Sequence, residues 1–340
     1  MRADGTNSDF LEATQQQSVS AGLQELGLYY LNRMSFEEVE GLLERTSGAR
    51  LCCAQTLWNW ALQKALILDA QRAKEVAACQ ELSWPQIATD LDVYSAEAEE
   101  VLVLTDAIGV KAQKPTRQKP GEVALAKEAK RHDTDVLLLQ TPEGEFVYLS
   151  GSMDESVSLV AVADARVRRE WGNRDTPLPV VALTDGARSI RLDLTALFGE
   201  GVTIILDWYH LQKRVHEHLA MMAHNKRERE EWEQRVLGSL WKGAVAQTLF
   251  FLEGLSVRNE AKRAELVGYL QKHQDEIIDY ARRCATGKWI GSGRMEKAVD
   301  QVIGKRQKEK GMSWSKQGSR TLAQLKIAEL NGEWNQLFAA

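Results

Sequence analysis

PLPVVALTDGARSIRLDLTALFGEGVTIILDWYH, residues 177–210, is the stretch whose reading decides the fold. Its two apolar runs, PVVALT and VTIIL, are short and rich in β-branched residues, as strands covered on both faces should be. Between them RSIRLDLTALFG has helical spacing and ends on a glycine. The first run closes on Asp185 in an Asp-Gly turn, and the second leads through Asp207 into a long helix from about residue 208. Working outward, VLVLTDAIGV (101–110) is another nearly continuous apolar run. TDVLLLQ (134–140) and FVYLSGS (146–152) read as a hairpin through TPEGE, and SVSLVAVADARVRREWG (156–172) is helical. Strand, strand, strand, helix, strand, helix, strand, helix predicts an α/β fold, a mixed sheet flanked by helices.

Residues 225–285 lose every strand signal and become charged and helical, and GKWIGSG (287–293) breaks the pattern before the last helices. At the other end, residues 1–20 are a polar lead-in with Gln15, Gln16 and Gln17 in a row. Helical spacing follows at Leu23, Leu26, Tyr30 and Leu31, then from a Ser35 cap through SFEEVEGLLER, and again in LCCAQTLWNWALQKAL after the break TSGAR. The expected organisation is therefore an all-α N-terminal domain over 1–98, an α/β core over 99–224, a helical insertion over 225–286 and the last core helices with a basic segment over 287–340. A helix, a short turn and a helix bearing Gln55, Thr56 and Asn59 have the shape of a helix-turn-helix, but a small helical bundle has the same shape and the region is acidic.

The chain has 340 residues, 44% hydrophobic and 27% charged, which excludes disorder and fibrous classes for its bulk. No run reaches the roughly 20 apolar residues of a membrane span, and MRADGTNSDF has no signal-peptide pattern, so a cytoplasmic protein with no membrane partner is expected. Cys52, Cys53, Cys79 and Cys284 show no C-x-x-C spacing and read as reduced thiols. His216, His218 and His224 share a helix without the further ligands a zinc site needs. The net charge of −5 hides a gradient: residues 1–100 carry −9, residues 101–293 are neutral and residues 294–340 carry +4. KRQKEKGMSWSK (305–316) concentrates the positive charge, either as a solvated helix face or as a phosphate contact.

The acids carry the chemistry. Asp106 lies inside an apolar strand, where an ionised carboxylate is costly unless paired or metal-bound. Asp185 ends a strand at the edge where α/β sheets place their sites, and Glu296 lies in the first turn of the helix opened by GSGR. Two strand aspartates and a helix glutamate can converge on a pair of divalent cations and make a phosphoryl-transfer site. Singly, each has a plainer reading: a core salt bridge for Asp106, a turn for Asp185 and a helix-start charge for Glu296.

ALTDGARSIR, ILDWYHLQKRV and GSGRMEKAVDQVIGKRQKEKGMSWS together resemble blocks of bacterial insertion-sequence DDE transposases related to the Mutator-like superfamily, over about residues 101–335. The resemblance implies a ribonuclease-H-like fold with a helical insertion before the last catalytic helix. It implies Asp106, Asp185 and Glu296 as catalytic, metal-binding residues, with two Mg²⁺ ions for which Mn²⁺ substitutes. Asp207 and His210 match an Asp-x-x-His signature; His210 would orient a phosphate or stabilise Asp207, and Asp207 and Asp300 stand in reserve for the second and third carboxylates. The implied partners are double-stranded DNA at the transposon ends and the target, engaged by a homodimer or larger assembly associated with the nucleoid. Lys297, Lys305, Arg306, Lys308 and Lys310 would grip phosphates. Trp289 and Trp314 would either stack on an extruded base or pack in the core. The reaction implied is cleavage at an element end and joining of the freed 3′-OH to target DNA. A nuclease or resolvase without strand transfer, and an inactive transposase-derived DNA-binding protein, are the alternatives.

Overall fold

The computed structural model describes residues 19–114 and 130–339. The polar lead-in lies outside them up to residue 18. Three helices come first: α1 (Ala21–Leu31), α2 (Phe36–Ser47) and α3 (Ala54–Cys79). Ser35 and Glu38 close a capping box at the head of α2, and Gly48 ends that helix in the left-handed region. The sheet and its cover follow as β1 (Val101–Lys111), β2 (Arg131–Gln140), β3 (Phe146–Leu149), α4 (Leu159–Trp171), β4 (Val180–Thr184), α5 (Arg188–Phe198), β5 (Thr203–Leu206) and α6 (Trp208–Met222). The insertion contributes α7 (Lys226–Leu240), α8 (Val245–Glu253), α9 (Glu260–Lys272) and α10 (Tyr280–Ala285). The chain ends with α11 (Gly293–Val299), a π-helical turn over Asp300–Gly304, and α12 (Lys316–Leu330).

The five strands lie in the order β3-β2-β1-β4-β5. β1 runs antiparallel to β2 and parallel to β4, while β3 is antiparallel to β2 and β5 parallel to β4. This is the mixed sheet flanked by helices expected from the strand order. Alternation along β1 explains why both faces are covered. Leu102, Leu104, Ile108 and Val110 enter a core shared with α6, α11 and the insertion, whereas Val101 and Val103 enter one shared with α4 and α5. A third core joins Leu28, Leu31, Leu57 and Trp60 of the N-terminal helices to Leu322, Leu325 and Ala328 of α12. The last helix therefore closes the N-terminal bundle. The four cysteines are free thiols, with Cys52 and Cys79 buried. No helix of the described residues is long and apolar enough to cross a membrane.

Candidate active site

The parallel register of β1 and β4 pairs Leu104 with Leu183. That ladder ends there: Asp106 lies two residues further along β1, opposite Val136 of β2, and Asp185 directly follows the last residue of β4. Both continue the face occupied by Leu104 and Leu183, the face covered by α11. Glu296 stands on α11, whose Met295, Ala298 and Val299 are buried against that core while Glu296 itself is exposed. Burial raises the Asp106 carboxyl above its ordinary pKa; the Ala107 N–H, 2.7 Å away, opposes this, and the charges of Asp185 and Glu296 add to it. The three acids thus share one electrostatic neighbourhood, and none pairs with a Lys or Arg among the described residues. Among those residues, however, no three His, Cys, Asp or Glu side chains stand at metal-coordination spacing.

Asp207 is built differently. It is fully buried and caps α6, accepting from the His210 N–H at 2.8 Å and from the Ser292 N–H. Burial pushes its pKa up, but these donors outweigh it and hold the carboxyl below the ordinary value. His210 Nδ1 lies 3.3 Å from Asp207 Oδ1 but off the hydrogen-bond direction, so the contact is an ion pair when the ring is protonated. Asp207 chiefly, with Asp185 and Glu296 adding, holds the His210 pKa above its usual value against the effect of burial.

Through Ser292, Asp207 also fixes the start of the Glu296 helix. The Trp208 N–H donates to the Ile290 carbonyl at 3.0 Å, and a methyl group on Gly291 would come within 2.5 Å of the Tyr209 ring, so only glycine lets this loop lie so close. Arg283, fully buried on α10, anchors the other end of the loop. It donates to the Trp289 carbonyl at 2.6 Å, to the Val93 carbonyl at 2.9 Å and to both Glu100 oxygens at 2.7 and 3.1 Å. Lys288 adds a contact to Glu100 at 3.0 Å. GKWIGSG is thereby tied at one end to the segment entering β1 and at the other to the head of α6.

The expected DNA contacts separate into two kinds. Lys297, Lys305, Lys308 and Lys310 are exposed. Arg306 is not: it is 4% exposed, donates to the Leu31 carbonyl at 2.9 Å and lies 5.0 Å from the Trp314 ring, so a phosphate contact there gives way to a packing role. Trp314 is half-buried, donates from Nε1 to the Gln307 carbonyl at 3.0 Å and pairs its backbone with Lys111 and Gln113, which leaves its ring in the core. Trp289 is 40% exposed, with Arg294 over its ring and that of Phe146. Asp300 is exposed at the head of the π-helical turn. Beside Asp185 and His210 a cleft of about 370 Å³ opens between α6 and the end of α9, lined by Lys213, Arg214, Lys272 and His273, which sequence reasoning did not single out.

Residues 163–337 match the model of the uncharacterised protein family UPF0236, and the chain belongs to that family. The match spans Asp185, Asp207, His210 and Glu296 and begins after Asp106. No curated protein sequence matches the chain. Among solved structures it is similar to a chain of the Drosophila P element transposase strand transfer complex, at 10% identity over 97% of both chains with a TM-score of 0.41.

Proposed function

We propose that this UPF0236 protein is a DDE transposase, which cleaves DNA at the ends of a mobile element and joins the freed 3′-OH to target DNA. The observation that supports this reading is that Asp106 on β1 feels the charges of Asp185, which follows the neighbouring parallel strand, and of Glu296, on the helix packed against β1, while none of the three pairs with a Lys or Arg among the described residues. Such a set is chemically suited to Mg²⁺, which keeps several waters and takes one or two carboxylates plus substrate phosphates rather than a closed protein cage. Asp106, Asp185 and Glu296 would hold the ions; bound there, Mg²⁺ supplies an activated water or hydroxyl nucleophile and stabilises the leaving oxygen.

The chain's own residues do the rest. Asp207 fixes the loop that delivers Glu296, His210 presents a ring beside Asp185 and Glu296, and Lys297, Lys305, Lys308 and Lys310 offer exposed positive charge for the DNA backbone. The test is Mg²⁺-dependent cleavage and joining of duplexes carrying the element ends. Asp106→Ala and Asp185→Ala should each lower both steps by about a thousandfold or more while end binding in EDTA stays within roughly threefold of wild type. Retained cleavage refutes the assignment, and cleavage without joining moves the reading to a nuclease.

A further inference from the structure

Resting on that reading, we propose that the cleft between α6 and the end of α9 is a seat for one backbone phosphate of the bound DNA, held by Lys213, Arg214, Lys272 and His273. The helical insertion would then be one jaw of the active site, since Lys272 and His273 come from it while Lys213 and Arg214 come from the helix that Asp207 caps. Lys213, Arg214 and Lys272 are exposed, and none of them pairs with a carboxylate among the described residues. Arg214 instead lies 5.0 Å from the Tyr269 ring centre, another wall of the cleft. The acids in the lining are Asp185, assigned above to the metal, and Glu217. A bland account exists for Lys272, because a cation suits the last turn of a helix.

His273 has a structural role on one side, as the C-cap of α9 with its ring 4.7 Å from that of Tyr269, and leaves its other edge free. It is 1% exposed, and its Nδ1 lies 2.6 Å from Glu276 Oε2 and 3.2 Å from Arg191 Nη2; with both ring nitrogens protonated, Nδ1 donates to the carboxylate and Nε2 keeps an N–H for a ligand oxygen. Arg191 pairs with Glu276 through the same nitrogen that approaches His273 Nδ1, so the three side chains form one cluster. The opposite edge of the ring is turned to Gly186, the residue after Asp185: a methyl group there would meet His273 Cε1 at 2.7 Å and Nε2 at 3.2 Å. Gly186 has φ +83° and lines the same cleft, and Nε2 makes no hydrogen bond among the described residues. A buried imidazole oriented by a carboxylate, with its free nitrogen edge beside a catalytic turn and three unpaired cations, is suited to a phosphate oxygen.

The experiment measures binding of a short labelled duplex in EDTA over a series of salt concentrations. The double variant K213Q/K272Q, altered only at exposed side chains, should flatten the dependence of log affinity on log salt by about one to two. His273→Ala should weaken binding about tenfold and H273Q, which keeps a donor at the ring edge, should recover most of that loss. Lys226→Gln, at the start of α7 beyond the far end of α6, whose axis is about 20 Å long, should leave the slope unchanged. The seat is overturned if wild type fails to bind the duplex, or if K213Q/K272Q keeps the wild-type slope. Because no metal is present, a chain that binds DNA in this way yet never cuts it would sink the proposed reaction and leave the phosphate seat standing.

Discussion

Asp185 and Asp207 each follow an apolar strand at the same edge of one sheet, and the molecule treats them in opposite ways. Asp207 is sealed from solvent with its oxygens taken by the N–H groups of His210 and Ser292, while Asp185 is exposed and uses one oxygen on the Ala187 N–H at 2.8 Å. An acid with its hydrogen-bonding capacity spent inside the protein stabilises structure, and one left open has capacity for a ligand. Asp207→Ala tests this most severely. It strands two buried N–H donors and cuts the tie between α6 and the Glu296 loop, so it should cost about 2–4 kcal/mol in urea unfolding. Asp185→Ala should shift stability by no more than about 0.5 kcal/mol. Equal losses at the two sites would erase the distinction between them.

How much of this contrast was legible in the sequence depends on the range over which each residue acts. The strands were visible because residues 101–104 and 180–183 are apolar at every position, as a sheet covered on both faces requires. Asp106 within one of these runs and Asp185 directly after the other then lie on or beside two neighbouring parallel strands. Asp207 and Asp185 could also have been told apart, since an aspartate directly before a helix is an N-cap signal and one before glycine is a turn signal. Arg283 and Arg306 could not. Both lie in basic stretches that resemble solvated helix faces, and their partners Glu100 and Leu31 are 183 and 275 residues away. The same distance hid the cleft, whose walls come from residues 185–187, α6 and the end of α9.

Asp106 sharpens the comparison from the open side. Its pKa is raised by burial and by the neighbouring acids, so the ionised form is better tolerated in the unfolded chain than in the fold. For such a group the favourable contribution to folding is fully present below the unfolded value of about 3.9 and is lost as pH rises through the folded value. Asp106→Asn should therefore be more stable than wild type at neutral pH, by on the order of 1 kcal/mol or less, with the advantage vanishing under acid. Parallel denaturation series in EDTA across the acid range would show it. An asparagine variant no more stable than wild type at neutral pH would mean that Asp106 has an internal partner and belongs with Asp207.

His210 joins the two regions, since it touches the sealed acid and also feels Asp185 and Glu296. Its raised pKa means that the fold prefers the protonated ring. The stabilisation is complete below the ordinary histidine value of about 6.5 and is lost as pH climbs through the higher folded value. The ring is 35% exposed, so solvent screening limits the effect to a few tenths of a kcal/mol. His210→Gln removes it, and the stability difference between wild type and variant should shrink as pH rises from below that ordinary value toward alkaline conditions. Neutralising the open acids with D185N should narrow the window without abolishing it, because Asp207 supplies the largest part of the shift. If D185N instead removes the pH dependence entirely, the imidazole answers to the open carboxylates, and the boundary between the sealed and open regions runs between His210 and Asp207 instead of through the ring.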